Sequence, residues 1–245
     1  MKAALRIALG VLCAVLLLGM IDSVALSRID QGNMSALFLE CAEVRGHEEV
    51  TSGDYPAIAA AVITYLRSGA EKDIPTLRGE RLFSEKENLH LKDCAGIIRG
   101  MLIFRGVFIA LLAASLGAAL LIRARMGADR LRAFVSEAAR CMAAACMAVL
   151  GIALALALWG LIDFDSLFLA FHRIAFRNDL WLLDSQKDLL VQLMTFDFFV
   201  KYAGRMLTAL LPCLLIMIVF PALYIKSKNA PPAPDAEGTG EMESK

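Results

Sequence analysis

Apolar positions along the chain gather into four long runs, set apart by two polar stretches and one short basic connector. Runs of this length are what a helix needs to cross a bilayer, roughly 20 residues for a core about 30 Å thick. The first is Ile7 to Leu26, broken only by Asp22 and Ser23 and preceded by Lys2 and Arg6. Two readings of it are open. One is a cleaved signal peptide ending at the poor site Val24-Ala25-Leu26-Ser27; the other is an uncleaved signal anchor, which the length of the run favours. Both send the following segment outward.

The remaining runs complete a bundle. Span two covers residues 100–122, span three 134–162 and span four 205–225. Gly106, Gly117 and several alanines in span two suit close helix packing. Residues 27–99 and 163–204 hold no run long enough to cross. Within the first of these, Ile58, Val62, Ile63 and Leu66 repeat at helical spacing, with Asp54 and Pro56 marking the start. A second short helix is expected from Ser84, because Ser84-Glu85-Lys86-Glu87 is a capping box. It places Glu87, His90 and Asp93 three residues apart along one face.

Charge orients the bundle. The connector 123–133 carries Arg123, Arg125, Arg130 and Arg132, and with Lys2, Arg6, Lys226 and Lys228 it falls on one side of a four-span arrangement. The positive-inside rule makes that side cytoplasmic, most strongly for the short connector. Residues 1–6 and 226–245 are then cytoplasmic, the latter a Pro-, Gly- and Glu-rich tail read as disordered. Residues 27–99 and 163–204 form an extracellular cap in two parts. The fold class is all-α: a polytopic four-helix transmembrane bundle with a small, mostly helical cap.

Composition narrows the functions. Of 245 residues 58% are hydrophobic, and mean hydropathy is +0.62, outside the range of a soluble domain. Lys and Arg total 25, as do Asp and Glu, so the basic excess of a nucleic-acid binder is missing. The six cysteines show no metal-site spacing. Cys41 and Cys94 alone fall in polar sequence, where a disulfide between them is open. Hydrolase, zinc-protease and Walker motifs are absent, and the spans lack the midplane charges of a transporter. No metal or cofactor is expected.

Three histidines remain, all on the outer side. His47, among Arg45, Glu48 and Glu49, reads as a solvated loop residue. His90 precedes the second span and His172 follows the third, so both stand at a membrane boundary on segments able to face each other. Two converging imidazoles exchange a proton near neutral pH. The alternative is two interfacial histidines held by Asp93 and Asp179. Aromatic residues around His172 suit a headgroup-level belt, which accounts for Trp181 and Phe198-Phe199. It does not account for Arg177, Asn178 and Asp179 so close to a histidine, which suit groups orienting a reactive ring. Arg105, one turn inside span two, either snorkels to the headgroups or holds a lipid's polar group.

Two blocks resemble the bacterial lipoprotein intramolecular transacylases, four-helix membrane proteins with an extracellular cap. One is Phe83-Ser84-Glu85-Lys86-Glu87-Asn88-Leu89-His90-Leu91-Lys92-Asp93; the other runs from Phe171-His172 through Phe176, Asn178-Asp179 and Trp181 to Asp184. Leu91 stands where Met is usual in that family, Cys94 where Val is usual, and Ser185 where Pro is expected. The resemblance implies that His90 and His172 are the catalytic pair. It also implies that the partner is a diacylated lipoprotein N-terminus, within membrane lipids. The acyl chain would pass from the sn-2 oxygen of the diacylglyceryl group to the amine of the N-terminal cysteine. Asp93, Arg177, Asn178 and Asp179 would orient imidazole or substrate, and Phe171, Phe176 and Trp181 would wall the pocket. The competing reading is a non-enzymatic membrane protein whose cap binds an envelope partner. Oligomeric state is left open.

Overall fold

The computed structural model describes residues 3–126 and 128–228. Lys2 and the tail from residue 229, which carried expectations of charge and disorder, lie outside them. Four helices are long and apolar enough to cross a membrane: α1 (Ala3–Arg28), α4 (Glu85–Met126), α5 (Ala128–Ile162) and α8 (Phe196–Lys228). Between α1 and α4 come α2 (Gln31–Cys41), α3 (Tyr55–Ser68) and a hairpin of β1 (Thr76–Leu77) and β2 (Glu80–Arg81). Between α5 and α8 come α6 (Phe164–Ala175) and the short α7 (Leu189–Leu193). The four-helix bundle with a mostly helical cap is therefore the fold.

The long helices overrun the expected spans. The short helix expected at Ser84 and the second span are one helix of 42 residues. That is about 63 Å at 1.5 Å per residue, twice the hydrocarbon thickness. No proline interrupts residues 85–126, so nothing stops propagation once the capping box has started the helix. That box is formed: Ser84 N donates to Glu87 Oε2 at 2.8 Å and Glu87 N to Ser84 Oγ at 3.3 Å. The first turns of α4 pack into the cap through Leu91 and Ile98, outside the spanning part. In the same way α8 begins at Phe196 rather than Arg205, and Phe198 enters the cap core.

Helix α2 and the hairpin had no counterpart in the sequence reading. Asp30 caps α2, accepting from Asn33 N at 3.0 Å, and Leu37 and Phe38 are fully buried. The hairpin turns through Arg78 (φ 53°) and Gly79 (φ 89°), the doubly positive pattern of a two-residue turn. Helix α3 starts on Asp54 and Pro56 as its sequence predicts and stops at Gly69, which is left-handed at φ 59°. A Cβ on Gly69 would meet Arg99 Nη2 at 2.9 Å, and that guanidinium binds the Ser68 carbonyl. Arg99 is thus a helix cap rather than a free outer cation.

One cluster holds the cap together. Leu37, Phe38, Ile58 and Val62 of the first part pack with Leu189, Leu193 and Phe198 of the second. The bundle has a smaller buried centre at Leu17, Cys146, Leu210 and Leu214. Helices α1 and α4 approach closely at Gly19, where an added Cβ would fall 2.3 Å from the Phe108 ring. Cys41 and Cys94 are both free thiols, Cys41 inside the cap core, so the disulfide left open by the sequence is not made.

Candidate active site

The capping box fixes where α4 begins, and His90 lies in its second turn. His172 lies in the last turn of α6, which Asp163 starts by accepting from Ser166 N at 3.0 Å. Each residue is 7% exposed. Their ring centroids are 6.0 Å apart, with planes inclined by 37°.

Aromatic side chains enclose the pair. Phe176 stands edge-on to His90 at 5.0 Å and 5.5 Å from His172. Trp181 lies 5.0 Å from His172 and Phe168 only 3.9 Å. Phe171 touches His172 edge-on at 5.1 Å while 55% exposed, so it forms the outer wall. A cleft of about 170 Å³ opens between the two imidazoles, with Trp181, Leu190, Met194 and Phe199 among its lining residues.

The two rings are held differently. His172 Nδ1 lies 2.8 Å from the Phe168 carbonyl. A carbonyl only accepts, so Nδ1 carries the proton and Nε2 keeps the lone pair. His90 Nε2 meets Cys94 Sγ at 3.6 Å, and its Nδ1 is buried with no hydrogen-bond partner among the described residues. The aspartate partners weighed for both rings are therefore replaced by a backbone carbonyl and a thiol.

Burial sets the electrostatics. It pushes His90 down to about 4, with His172 adding to the shift and Asp93 opposing it. Burial lowers His172 as well, against the Phe168 hydrogen bond. Both rings are neutral at neutral pH. Burial also raises the Cys94 thiol to about 12, so it stays protonated beside His90.

Polar contacts lock the two cap parts around the cleft. Asn178 Nδ2 donates to Asp93 Oδ2 at 2.8 Å, and Asn178 Oδ1 accepts from Leu180 N at 3.1 Å. Asp93 and Asn178 thereby tie the His90 helix to the loop bearing Trp181. Glu87, 2% exposed, accepts from Leu190 N at 2.7 Å with the oxygen the capping box leaves free. Its role as a bridge was not legible, because a capping box accounts for the glutamate by itself. The Lys86 ammonium donates to the Leu182 carbonyl.

Other expected residues fall outside the cleft. Arg177 and Asp179 are exposed on the loop after α6. Arg105 is fifteen positions beyond His90, about 22 Å along the helix axis, and its charge acts on Asp22 of α1 instead. His47 is not a free loop residue: its Nε2 lies 3.0 Å from the Lys187 carbonyl, joining the cap parts away from the cleft. Phe168, Val191 and Met194 line the cleft and were missed. Phe168 sits one turn before His172 on an amphipathic helix, which was the available signal.

Comparison with known proteins bears on the fold and the family. The search of curated proteins gives no match. Among solved structures, the membrane-integral lipoprotein intramolecular transacylase Lit from Bacillus cereus superposes with a TM-score of 0.63 at 15% identity, covering 93% of this chain and 99% of that one. Two further structures of that protein, with one histidine replaced by arginine or by alanine, superpose at 0.57 and 0.53, both at 17% identity. The former covers 92% of this chain and 94% of its own; the latter 91% and 93%. At these identities the likeness establishes the fold. The family described as lipoprotein intramolecular transacylase Lit matches residues 9–199, most of the chain, and this protein belongs to that family.

Proposed function

We propose that this chain moves the sn-2 acyl group of a diacylated lipoprotein onto the amine of the same lipoprotein's N-terminal cysteine, with His90 and His172 transferring the protons. The observation that carries the reading is the meeting of two buried, neutral imidazoles at 6.0 Å inside an aromatic cleft at the cap's membrane end.

The chemistry needs little else. The substrate supplies its own nucleophile, which agrees with the absence of a serine or cysteine nucleophile motif. The amine nitrogen forms a bond to the ester carbonyl carbon, passing through a medium-ring tetrahedral intermediate. The acyl–oxygen bond then breaks, and the proton lost by nitrogen ends on the glyceryl oxygen. His172, with its lone pair on Nε2, takes the amine proton, and that proton is passed by way of His90 to the leaving oxygen, so both imidazoles end neutral as they began. Closing a medium ring is slow for a flexible chain, and a narrow cleft that folds the two ends together removes that cost. Well-oriented intramolecular reactions gain roughly 7–11 kcal/mol in this way. Phe176 and Trp181 provide the walls, and the Asn178–Asp93 bond holds them in register.

Sidedness follows from charge: both termini and the connector with Arg123, Arg125 and Arg132 are cytoplasmic, and the cap faces outward on a bacterial plasma membrane. There the cap meets lipoproteins anchored in the outer leaflet. Coexpression with a diacylated reporter lipoprotein tests the reading. Mass spectrometry should show the N-acylated lyso form with the native chain. His90→Ala and His172→Ala should each reduce it by about 10²- to 10⁴-fold. Full product from both variants would refute the histidine chemistry.

A further inference from the structure

We propose that the hollow at the corner where α5 turns into α6 holds the migrating acyl chain and selects its length. The inference rests on the transacylase reading above and adds a specificity site to it.

The histidine cleft, at about 170 Å³, has room for the reacting ester and amine but is small for a long hydrocarbon tail. A second hollow of about 500 Å³ adjoins it. Phe168, Val191, Met194 and Phe199 line both, so the two spaces lie side by side against the same four side chains. Beyond the shared wall, Phe164 and Phe196 meet edge to face at 4.6 Å, and Phe164 lies 6.3 Å from Phe199. The outer lip is Ile162, the last residue of α5, 84% exposed beside the exposed Leu161. These are residues a bilayer covers. The hollow thus lies between the histidine cleft and the exposed aliphatic end of a spanning helix.

At the polar side of the hollow Asp163 accepts from Ser166 N at 3.0 Å and Thr195 Oγ1 donates to the Cys41 carbonyl at 2.9 Å, while the exposed Asp165 carboxylate also lines it. The apolar surface offered to a hydrocarbon chain is that of Phe164, Phe168, Phe196 and Phe199. Another hollow, about 330 Å³ beside Leu12, Ala118 and Met142, shares no lining residue with the histidine cleft. The four lining residues in common with the cleft single out the α5–α6 corner.

The reaction gives this site a particular use. The acyl–oxygen bond breaks and an amide bond forms within one molecule, so the carbonyl carbon shifts by only one ring closure. The methyl end of the chain has no need to move. A hollow that grips the tail holds it before and after transfer and fixes the carbonyl between His90 and His172. Binding of this uniform kind acts on kcat/KM through KM, so chain length is discriminated there.

The test uses the full-length protein in lipid nanodiscs and two synthetic diacylglyceryl lipopeptides in competition, one with a palmitoyl and one with an octanoyl group at sn-2. Phe164→Ala and Phe196→Ala remove the walls beyond the reach of a short tail. Each should lower kcat/KM for the palmitoyl substrate by about 10-fold or more, with the octanoyl rate close to wild type. Equal slowing of both substrates would overturn the proposal. A second measurement needs no variant: a palmitoyl chain with a diazirine near its methyl end is photolysed on the wild-type protein. Labelling of residues 162–168 or 191–199 is expected; labelling confined to the lipid face of α4 would overturn the site. Failure of the wild-type protein to convert either substrate would instead refute the transacylase reading, and it is seen before any variant is compared.

Discussion

The cap and the spanning bundle bury apolar surface in opposite ways. In the cap, Leu37, Phe38, Ile58, Val62 and Leu193 are fully buried, as in a water-soluble domain, and two polar segments far apart in sequence close around them. In the bundle, Leu116, Ile152 and Ile216 stay more than half exposed, and among the described residues full burial is reached only at Leu17 and Cys146. The cap is held by the hydrophobic effect and by buried hydrogen bonds. The spans rely on lipid to cover what their neighbours leave bare, with close approach at Gly19 supplying part of the contact. The histidines belong to the cap side of this division, which gives them a rigid mount.

Core truncation should separate the two regions most sharply. Leu37→Ala is expected to destabilise the cap by about 2–5 kcal/mol, because a packed interior cannot collapse into the space vacated. Leu116→Ala, on a lipid-covered face, should cost within about 0.5 kcal/mol. Thermal unfolding in detergent, followed by tryptophan fluorescence at Trp181, measures both. Equal losses would break the comparison.

Acid should act on the cap through His90. Its pKa in the folded protein is about 4, against 6.5 for the free side chain. Between those values the unfolded chain binds a proton that the folded one refuses, so stability falls as pH drops through the window. By pH 4 the loss from this ring approaches about 3 kcal/mol, and above 6.5 it vanishes. His172 shifts in the same direction and adds to the effect. His90→Gln should flatten the decline between pH 6.5 and 4 in the same unfolding assay. An unchanged pH slope would show that the ring is not desolvated as its burial implies.

Glu87 sharpens the comparison from the polar side. One carboxylate oxygen accepts from Ser84 N and the other from Leu190 N, both backbone donors. Glu87→Gln keeps the shape but gives one acceptor in place of two and loses the charge, a cost of about 1.5–3 kcal/mol. Leu190 lines the cleft, so the variant should also slow lyso-lipoprotein formation. A stable variant with reduced activity separates site alignment from folding, since the bundle has no stake in this bond.

These features differ in how readily sequence reports them. Spans announce themselves, because lipid forces continuous apolar runs, and the capping box fixed where the His90 helix begins. Helix α2 did not, since Gln31–Cys41 mixes Gly, Asn and Ser with its apolar residues and gains its helical form from burying Leu37 and Phe38. Helices α4 and α8 extend beyond the expected spans for a related reason: hydropathy marks where lipid stops, and a helix continues into the cap until a residue breaks it. The histidines were legible as a pair from the two motif blocks. Their partners were not, because a carbonyl four residues back and a thiol at position 94 leave no trace in residue type.

His47 gives the smallest expected effect and the cleanest control. Its ring joins the Lys187 carbonyl at 3.0 Å across 140 positions of sequence, and its side chain is only partly buried. Replacing it with alanine removes the hydrogen bond to Lys187 and the exposed contact with Glu49 at 3.5 Å, about 0.5–1.5 kcal/mol, and leaves the carbonyl able to find water. Lyso-lipoprotein formation should stay close to wild type, because nothing in the His90–His172 cleft touches this ring. Were His47→Ala as inactive as His90→Ala while still folded, proton transfer would extend to a third histidine, and the cleft could no longer be treated as the complete reacting centre.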